Sequence, residues 1–217
     1  VDELSSGMVK VPDTQLNVMI VPGIRGVSVA GLNDVVRGEE TLLAGWLQQP
    51  TDCEAVFCLP GTHSKWIVAR EGQVNQLTTF MTGELFELMR TRSILAPLID
   101  SQAVADSKSD IFCEGLTLAQ SAAGLLHQMF AIRAGALTGQ FAKSDVLTLL
   151  SGVLVGAECL AVKSLVQNRS VTLMSSGDLK QTYQNAFEHF GFVFNVADSE
   201  QAAQKGLFSI FNHIQQG

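Results

Sequence analysis

Ala55-Val56-Phe57-Cys58-Leu59-Pro60-Gly61-Thr62-His63-Ser64-Lys65-Trp66-Ile67-Val68-Ala69 reads as two short strands around a turn. The first apolar run stops at Pro60-Gly61, and the second begins at Lys65. Aromatic and β-branched residues suit pleated, half-buried backbone, and Pro-Gly interrupts it. Glu71-Gly72 supplies a second turn, and Val74 to Met81 a third strand. Three strands joined by tight turns make an antiparallel meander.

Downstream, Gly83 to Arg92 is amphipathic, with Leu85, Phe86, Leu88 and Met89 as apolar positions. Residues 96–112 read as a linker or a variable stretch. Glu114–Ala134 and Lys143–Val166 are helical by period and by Ala/Leu content. Val171–Met174 is a strand, Ser175-Ser176-Gly177 a turn, and Leu179–Phe190 a helix stopped by Gly191. Phe192–Val196 is a strand, and Ser199–Ile214 a last helix with Ser199 as its N-cap. Upstream, Val18–Val21 reads as a strand before Pro22-Gly23, residues 24–36 as loop, and Gly38–Leu47 as a helix with acids in its first turn, closed by Pro50. From residue 55 the order is βββ, helices, β, α, β, α. A meander feeding crossover helices onto parallel strands resembles the ribonuclease-H-like domain of actin-like ATPases and many sugar kinases. The expected fold class is therefore α/β, a βββαβαβ core with inserted helices. Those proteins pair two such domains around a nucleotide, and one is visible here. No internal repeat is apparent.

Composition narrows the function. The 217 residues are 47% apolar and 16% charged, which is globular rather than disordered. Net charge is −7, from 14 basic and 21 acidic residues, and no Lys/Arg run exceeds one residue. Nucleic-acid binding needs a basic stripe, so that class is set aside. Cys53, Cys58, Cys113 and Cys159 form no C-x-x-C pair and read as buried thiols of a reducing cytoplasm. The longest apolar stretch, Val153–Val162, is broken by Gly156 and Glu158 and is too short to span a membrane. No signal peptide is expected. The chain starts at Val1 without an initiating Met, so an upstream segment is expected to be missing.

Three stretches carry candidate chemistry. At Pro60-Gly61-Thr62-His63-Ser64-Lys65-Trp66 the backbone N–H groups can approach a phosphate, with the Thr62 and Ser64 hydroxyls as further donors; an ordinary hairpin turn has the same composition. In Arg37-Gly38-Glu39-Glu40-Thr41 a carboxylate at a helix start can reach a cleft as a general base, or merely complement the helix dipole. Ser175-Ser176-Gly177-Asp178-Leu179 joins a strand to a helix, a place that suits a ribose or a phosphate but also a plain N-cap loop.

The order of these motifs resembles the glycerol- and xylulose-kinase-like families. Together, Val36 to Thr41, Pro60 to Trp66, Met81-Thr82-Gly83-Glu84-Leu85 and Leu150-Ser151-Gly152-Val153-Leu154-Val155-Gly156-Ala157-Glu158 resemble the 2-dehydro-3-deoxygalactonokinase family, over the chain as far as Gly206. The resemblance implies transfer of the ATP γ-phosphoryl to the C6 hydroxyl of 2-dehydro-3-deoxy-D-galactonate, in cytoplasmic galactonate breakdown. It implies Glu39 as catalytic base, and Gly61, Thr62, His63, Ser64 and Lys65 around the phosphates. Lys65 either neutralises charge there or points to solvent. Ser176, Gly177 and Leu179 would lie against the nucleotide. Arg37, Thr82, Gly83 and Glu84 would face the sugar acid, with Arg90 and Arg133 as alternative partners for its carboxylate. Gly152 and Gly156 read as a close-packing pair, and His127, His189 and His213 as structural or exposed. The cofactors implied are ATP and Mg²⁺, and the partners are small molecules, with homo-oligomerisation compatible. One departure stands out. The family's opening Asp-x-Gly-Ser-Thr hairpin, which helps to place Mg²⁺, has no match, so no metal ligand is assigned. The expected layout is a remnant of the first domain and interdomain segment at 1–45 and a C-terminal ribonuclease-H-like domain at 46–217. The alternatives are a kinase for a related 2-keto-3-deoxy acid, or a non-catalytic packing module.

Overall fold

The computed structural model describes residues 2–12, 15–16, 18–47, 54–167 and 169–216. In chain order the elements are α1 (Asp2–Ser6), β1 (Val9–Lys10), β2 (Met19–Ile20), β3 (Ile24–Val27), β4 (Asn33–Val36), α2 (Glu40–Trp46), β5 (Ala55–Leu59), β6 (Ser64–Arg70) and β7 (Gln73–Phe80). There follow α3 (Thr82–Arg92), α4 (Asp110–Leu118), α5 (Gly124–Thr138), α6 (Val146–Ala161), α7 (Lys163–Val166), β8 (Val171–Met174), α8 (Gly177–Phe190), β9 (Phe194–Ala197) and α9 (Ser199–Gln216).

The meander forms as expected. It is extended into a five-stranded mixed sheet of order β7-β6-β5-β8-β9. The β5–β6 and β6–β7 pairs are antiparallel, and β8 runs parallel to both β5 and β9. Successive side chains of a strand face opposite ways, and this alternation builds two cores. Val56, Cys58, Trp66, Val68, Val171 and Leu173 pack with Phe112, Leu116, Val155, Tyr183 and Phe187 of α4, α6 and α8. Phe57, Leu59, Ile67, Ala69, Leu77 and Met174 pack with Val36 and Leu43 on the other face. A third cluster joins α5 to α6 through Ile132, Leu149, Leu150 and Val153.

Two helix crossings depend on glycine. A Cβ on Gly152 would stand 2.5 Å from the Phe112 carbonyl oxygen, and one on Gly156 2.6 Å from Ala119 Cβ, so α6 lies directly on α4. A Cβ on Gly45 would meet the Ala202 carbonyl oxygen at 2.0 Å, and one on Gly206 the Thr41 carbonyl oxygen at 1.8 Å. That contact holds α2 on α9. It also means that α2 spans the expected boundary at residues 45–46.

Four expectations need correction. Residues 24–36 are a hairpin, β3–β4, with Ile24 opposite Val36. Their Gly content read as loop, yet a Cβ on Gly26 would stand 2.8 Å from Leu77 Cβ, so Gly lets the hairpin lie on β7. The helix expected over 114–134 is broken, because α4 starts earlier at a Ser109 N-cap and α5 begins at Gly124 with φ +77°. Lys143–Ala161 is continuously helical and long and apolar enough to cross a bilayer, but most of it is buried as the central helix of the domain. Cys113 is exposed, while Cys58 and Cys159 are buried. Pro50 and Cys53 lie outside the described residues.

Candidate active site

The period-two alternation of β6 sends consecutive side chains to different places. Lys65 turns toward α2. Its Nζ lies 2.6 Å from Glu39 Oε1, with the ammonium largely buried, so the solvent-facing reading of Lys65 is wrong. The second oxygen of Glu39, Oε2, is shielded from solvent and has no hydrogen-bond partner. Ser64 and Trp66 turn the other way and donate to Glu158 Oε1, at 2.6 and 2.8 Å.

Glu39 is held at that spot by its neighbours. Asp34 on β4 accepts the Thr79 N–H at 2.7 Å and the Thr79 hydroxyl at 2.9 Å, which fastens β4 to β7. The chain then turns at Gly38, whose φ of +105° favours glycine. The Gly38 N–H donates to Glu40 Oε2 at 2.5 Å. Glu40 is only 3% exposed, and burial pushes its carboxyl above the usual range, against the pull of that N–H and its own. Glu40 therefore braces the turn, while Glu39 pairs with Lys65. Arg37 is exposed and forms no ion pair among the described residues.

The Pro60–His63 turn is braced from α3. A Cβ on Gly83 would stand 2.5 Å from the Gly61 carbonyl oxygen. The Glu84 N–H donates to the Thr62 carbonyl at 2.9 Å, and His63 Nε2 lies 2.5 Å from Glu84 Oε2. The Thr82 hydroxyl donates to Glu158 Oε2. Thr82, Gly83 and Glu84 thus support the hairpin. Ser64 is likewise a correction: it is fully buried and donates inward to Glu158, so it cannot also donate to a phosphate.

Beside the turn lies a pocket of about 240 Å³. Gly61, Thr82 and Gly83 line it together with Asp178 and Leu179 of α8, and Phe86, Leu147, Leu154 and Val155 contribute apolar lining. Arg90 also lines it, and its Nε lies 3.7 Å from Glu87 Oε2. The structure therefore brings Gly61 and Leu179 into one cavity. Ser176 and Gly177 stand at the start of α8 without lining it, and Gly177 adopts φ +58°. Glu39 and Lys65 sit on the opposite face of the sheet from this pocket, at the same end of β6. Arg133 lies on α5, away from the pocket lining, and His127, His189 and His213 are exposed. No three His, Cys, Asp or Glu side chains converge as a metal site among the described residues.

The residue that sequence reasoning missed is Glu158. It is 2% exposed and collects four side-chain donors: Ser64, Trp66, Thr82 and Tyr183, the last at 2.8 Å. Burial pushes its carboxyl up, and the four hydrogen bonds pull it back. Burial and its nearby charge push the Cys58 and Cys159 thiols well up, which leaves both unreactive. The available signal was one acid inside the apolar stretch of α6.

The structure thus sets a Gly-Thr hairpin beside an apolar pocket in an α/β domain, and the relatives of the chain are kinases by name. The chain belongs to the 2-keto-3-deoxy-galactonokinase family, whose model matches residues 1–210. It is 33% identical over 199 residues to the 2-dehydro-3-deoxygalactonokinase of Escherichia coli K12, covering 91% of this chain and 66% of that protein. A Rhizobium meliloti relative, described as a probable 2-dehydro-3-deoxygalactonokinase, is 32% identical over 209 residues, or 94% of this chain and 67% of that one. A crystal structure from Sinorhizobium meliloti, provisionally assigned as a 2-dehydro-3-deoxygalactonokinase, superposes with a TM-score of 0.88 at 30% identity, over 98% of this chain and 71% of that one. The chain thus spans about two thirds of the length of the curated relatives it matches.

Proposed function

We propose that this chain forms the nucleotide side of a kinase cleft that transfers the γ-phosphoryl of ATP to the C6 hydroxyl of 2-dehydro-3-deoxy-D-galactonate, in cytoplasmic galactonate breakdown. The observation that carries this reading is the meeting of the hairpin glycine, Gly61, with Leu179 in one apolar-lined pocket. The sheet order, with an antiparallel meander beside two parallel strands, supports a ribonuclease-H-like domain, the second of two in the full-length family.

The base of ATP lies against Phe86, Leu154, Val155 and Leu179, and the phosphates run across the Gly61-Thr62 turn toward Lys65. Phosphoryl transfer is mostly positioning and charge neutralisation. Lys65 supplies positive charge on leaving Glu39 for a phosphate oxygen. Glu39 Oε1, released by the ammonium, then accepts from the C6 hydroxyl. The hydroxyl oxygen bonds to the γ-phosphorus, the bond from that phosphorus to the bridging oxygen breaks, ADP leaves, and the proton goes to Glu39. Mg²⁺ neutralises phosphate charge when bound. The reading assigns its protein ligands to the part of the relatives that this chain does not span.

The test is coupled ADP detection on the full-length protein with a panel of 2-keto-3-deoxy sugar acids. Turnover of the galactonate-derived acid, lost in Glu39→Gln, is the expected result. Turnover of the gluconate-derived acid alone overturns the substrate assignment. Full activity of Glu39→Gln overturns its role as base.

A further inference from the structure

Glu158 has the burial expected of a core residue and the chemistry expected of a site. It forms no salt bridge among the described residues, so its charge is balanced by hydrogen-bond donors alone. Such a group is costly to bury, and an apolar residue would fill the same space more cheaply. Its donors are drawn from separate elements. Ser64 and Trp66 stand on β6 just after the hairpin, Thr82 opens α3, and Tyr183 stands on α8. Thr82 and Tyr183 also line the pocket, and Tyr183 OH lies 3.3 Å from Ser64 Oγ.

We propose that Glu158 is a positioning residue of the nucleotide cleft: its carboxylate fastens the Gly61–Ser64 hairpin and the Tyr183 wall of α8 to one point, and so sets the distance between the phosphate end and the base end. This rests on reading the pocket as the ATP site. A carboxylate suits the task because it offers two oxygens, and each here accepts two bonds. An amide offers one. The indole of Trp66 can only donate, so a glutamine must keep its oxygen toward Trp66 and Ser64. Its NH₂ then faces Thr82 and Tyr183, whose hydroxyls must turn from donors into acceptors. Glu158→Gln therefore keeps the packing and disturbs the link between hairpin and α8.

The experiment measures dissociation constants for ATP and for adenosine by calorimetry, with melting temperature alongside, in the full-length protein and in Glu158→Gln and Thr82→Val. Adenosine engages only the base end, whereas ATP needs both ends at the right separation. ATP affinity is expected to fall about tenfold or more in each variant, a change of about 1.4 kcal/mol, with adenosine affinity within about twofold. Thr82→Val removes one donor and retains the shape, so it decides the matter if Glu158→Gln does not fold. Equal losses for ATP and adenosine, or an unchanged ATP affinity whatever the melting temperature does, overturn the positioning role. Absence of ATP binding in the unmodified protein overturns the kinase-cleft reading itself, and this role with it.

Discussion

Replacing Gly83 and Gly61 separately by alanine tests the hairpin from its two sides. Gly83 lies in the first turn of α3, where alanine is favoured over glycine by about 1 kcal/mol on helix propensity alone. Local propensity therefore predicts stabilisation. The packing predicts the reverse. The new Cβ would stand 2.5 Å from the Gly61 carbonyl oxygen and 2.9 Å from Thr62 Cα, both backbone atoms that no rotamer change can move. Forcing α3 and the hairpin apart costs about 1–3 kcal/mol as overpacking. Stretching the 2.9 Å bond from the Glu84 N–H to the Thr62 carbonyl forfeits about 1 kcal/mol more. Packing wins by about 1–3 kcal/mol, and in a chain of this length that lowers the melting temperature by roughly 5 °C. At Gly61 the nearest atom to an added Cβ is the His63 carbonyl oxygen at 3.8 Å, an ordinary contact. Gly61→Ala should melt with the parent. Its methyl group nevertheless sits where the phosphates are proposed to pass, so ATP affinity should fall about tenfold. Differential scanning fluorimetry and calorimetric ATP titration read both quantities on the same samples. A Gly83→Ala protein that melts at or above the parent refutes the close approach of α3. A Gly61→Ala protein that binds ATP normally refutes the hairpin as the phosphate cradle.

Three more outcomes follow from the same geometry. Lys65→Met keeps the stem of the side chain and deletes the ammonium 2.6 Å from Glu39, so kcat should fall about a hundredfold; steady-state kinetics within about threefold of the parent would remove Lys65 from the charge balance. Gly206→Ala places a Cβ 1.8 Å from the Thr41 carbonyl oxygen, so α2 must leave α9; urea unfolding should show a loss of about 3 kcal/mol or more, and an unchanged midpoint contradicts the crossing. Burial raises the Glu158 carboxyl above its ordinary 4.5, so between those two values the folded protein keeps a proton that the unfolded chain has released, and stability falls as pH rises through that window. Glu158→Gln does not titrate, so its melting temperature relative to the parent should be higher at about pH 8 than at about pH 4.5, and the opposite trend would show that the four donors outweigh desolvation.

The fold was legible where an apolar run was bounded by turn residues. Ala55 to Leu59 and Lys65 to Ala69 carry enough apolar and β-branched residues to fix two strands, and Pro60-Gly61 fixes the turn between them. The parallel half followed from Val171–Met174 and from Gly191 as a stop, which takes φ +70° at the end of α8. The β3–β4 hairpin was hidden because its Gly26 answers to Leu77, a residue some fifty positions away, and no local rule contains that contact. The break between α4 and α5 was hidden differently. Ala119–Ala123 read as a continuation of the helix, yet α4 ends at Leu118 and α5 restarts only at Gly124, whose φ is +77°.

The site divides along the same line. Motif order could nominate Glu39 and the Gly61-Thr62 turn, because helix starts and hairpin turns are local events. It could not separate the roles of neighbouring residues on β6, because those depend on what lies across each face of the sheet. Ser64, Lys65 and Trp66 are consecutive in sequence, yet Lys65 meets the acid just before α2, while Ser64 and Trp66 meet one from α6. Strand alternation alone requires that split once β6 is known to be covered on both faces. A polar residue of a fully covered strand must find a partner above or below. Two buried polar positions of opposite parity, Ser64 and Lys65, thus imply two partners on opposite sides, and Glu158, the one charged side chain of α6, is the partner on the Ser64 side.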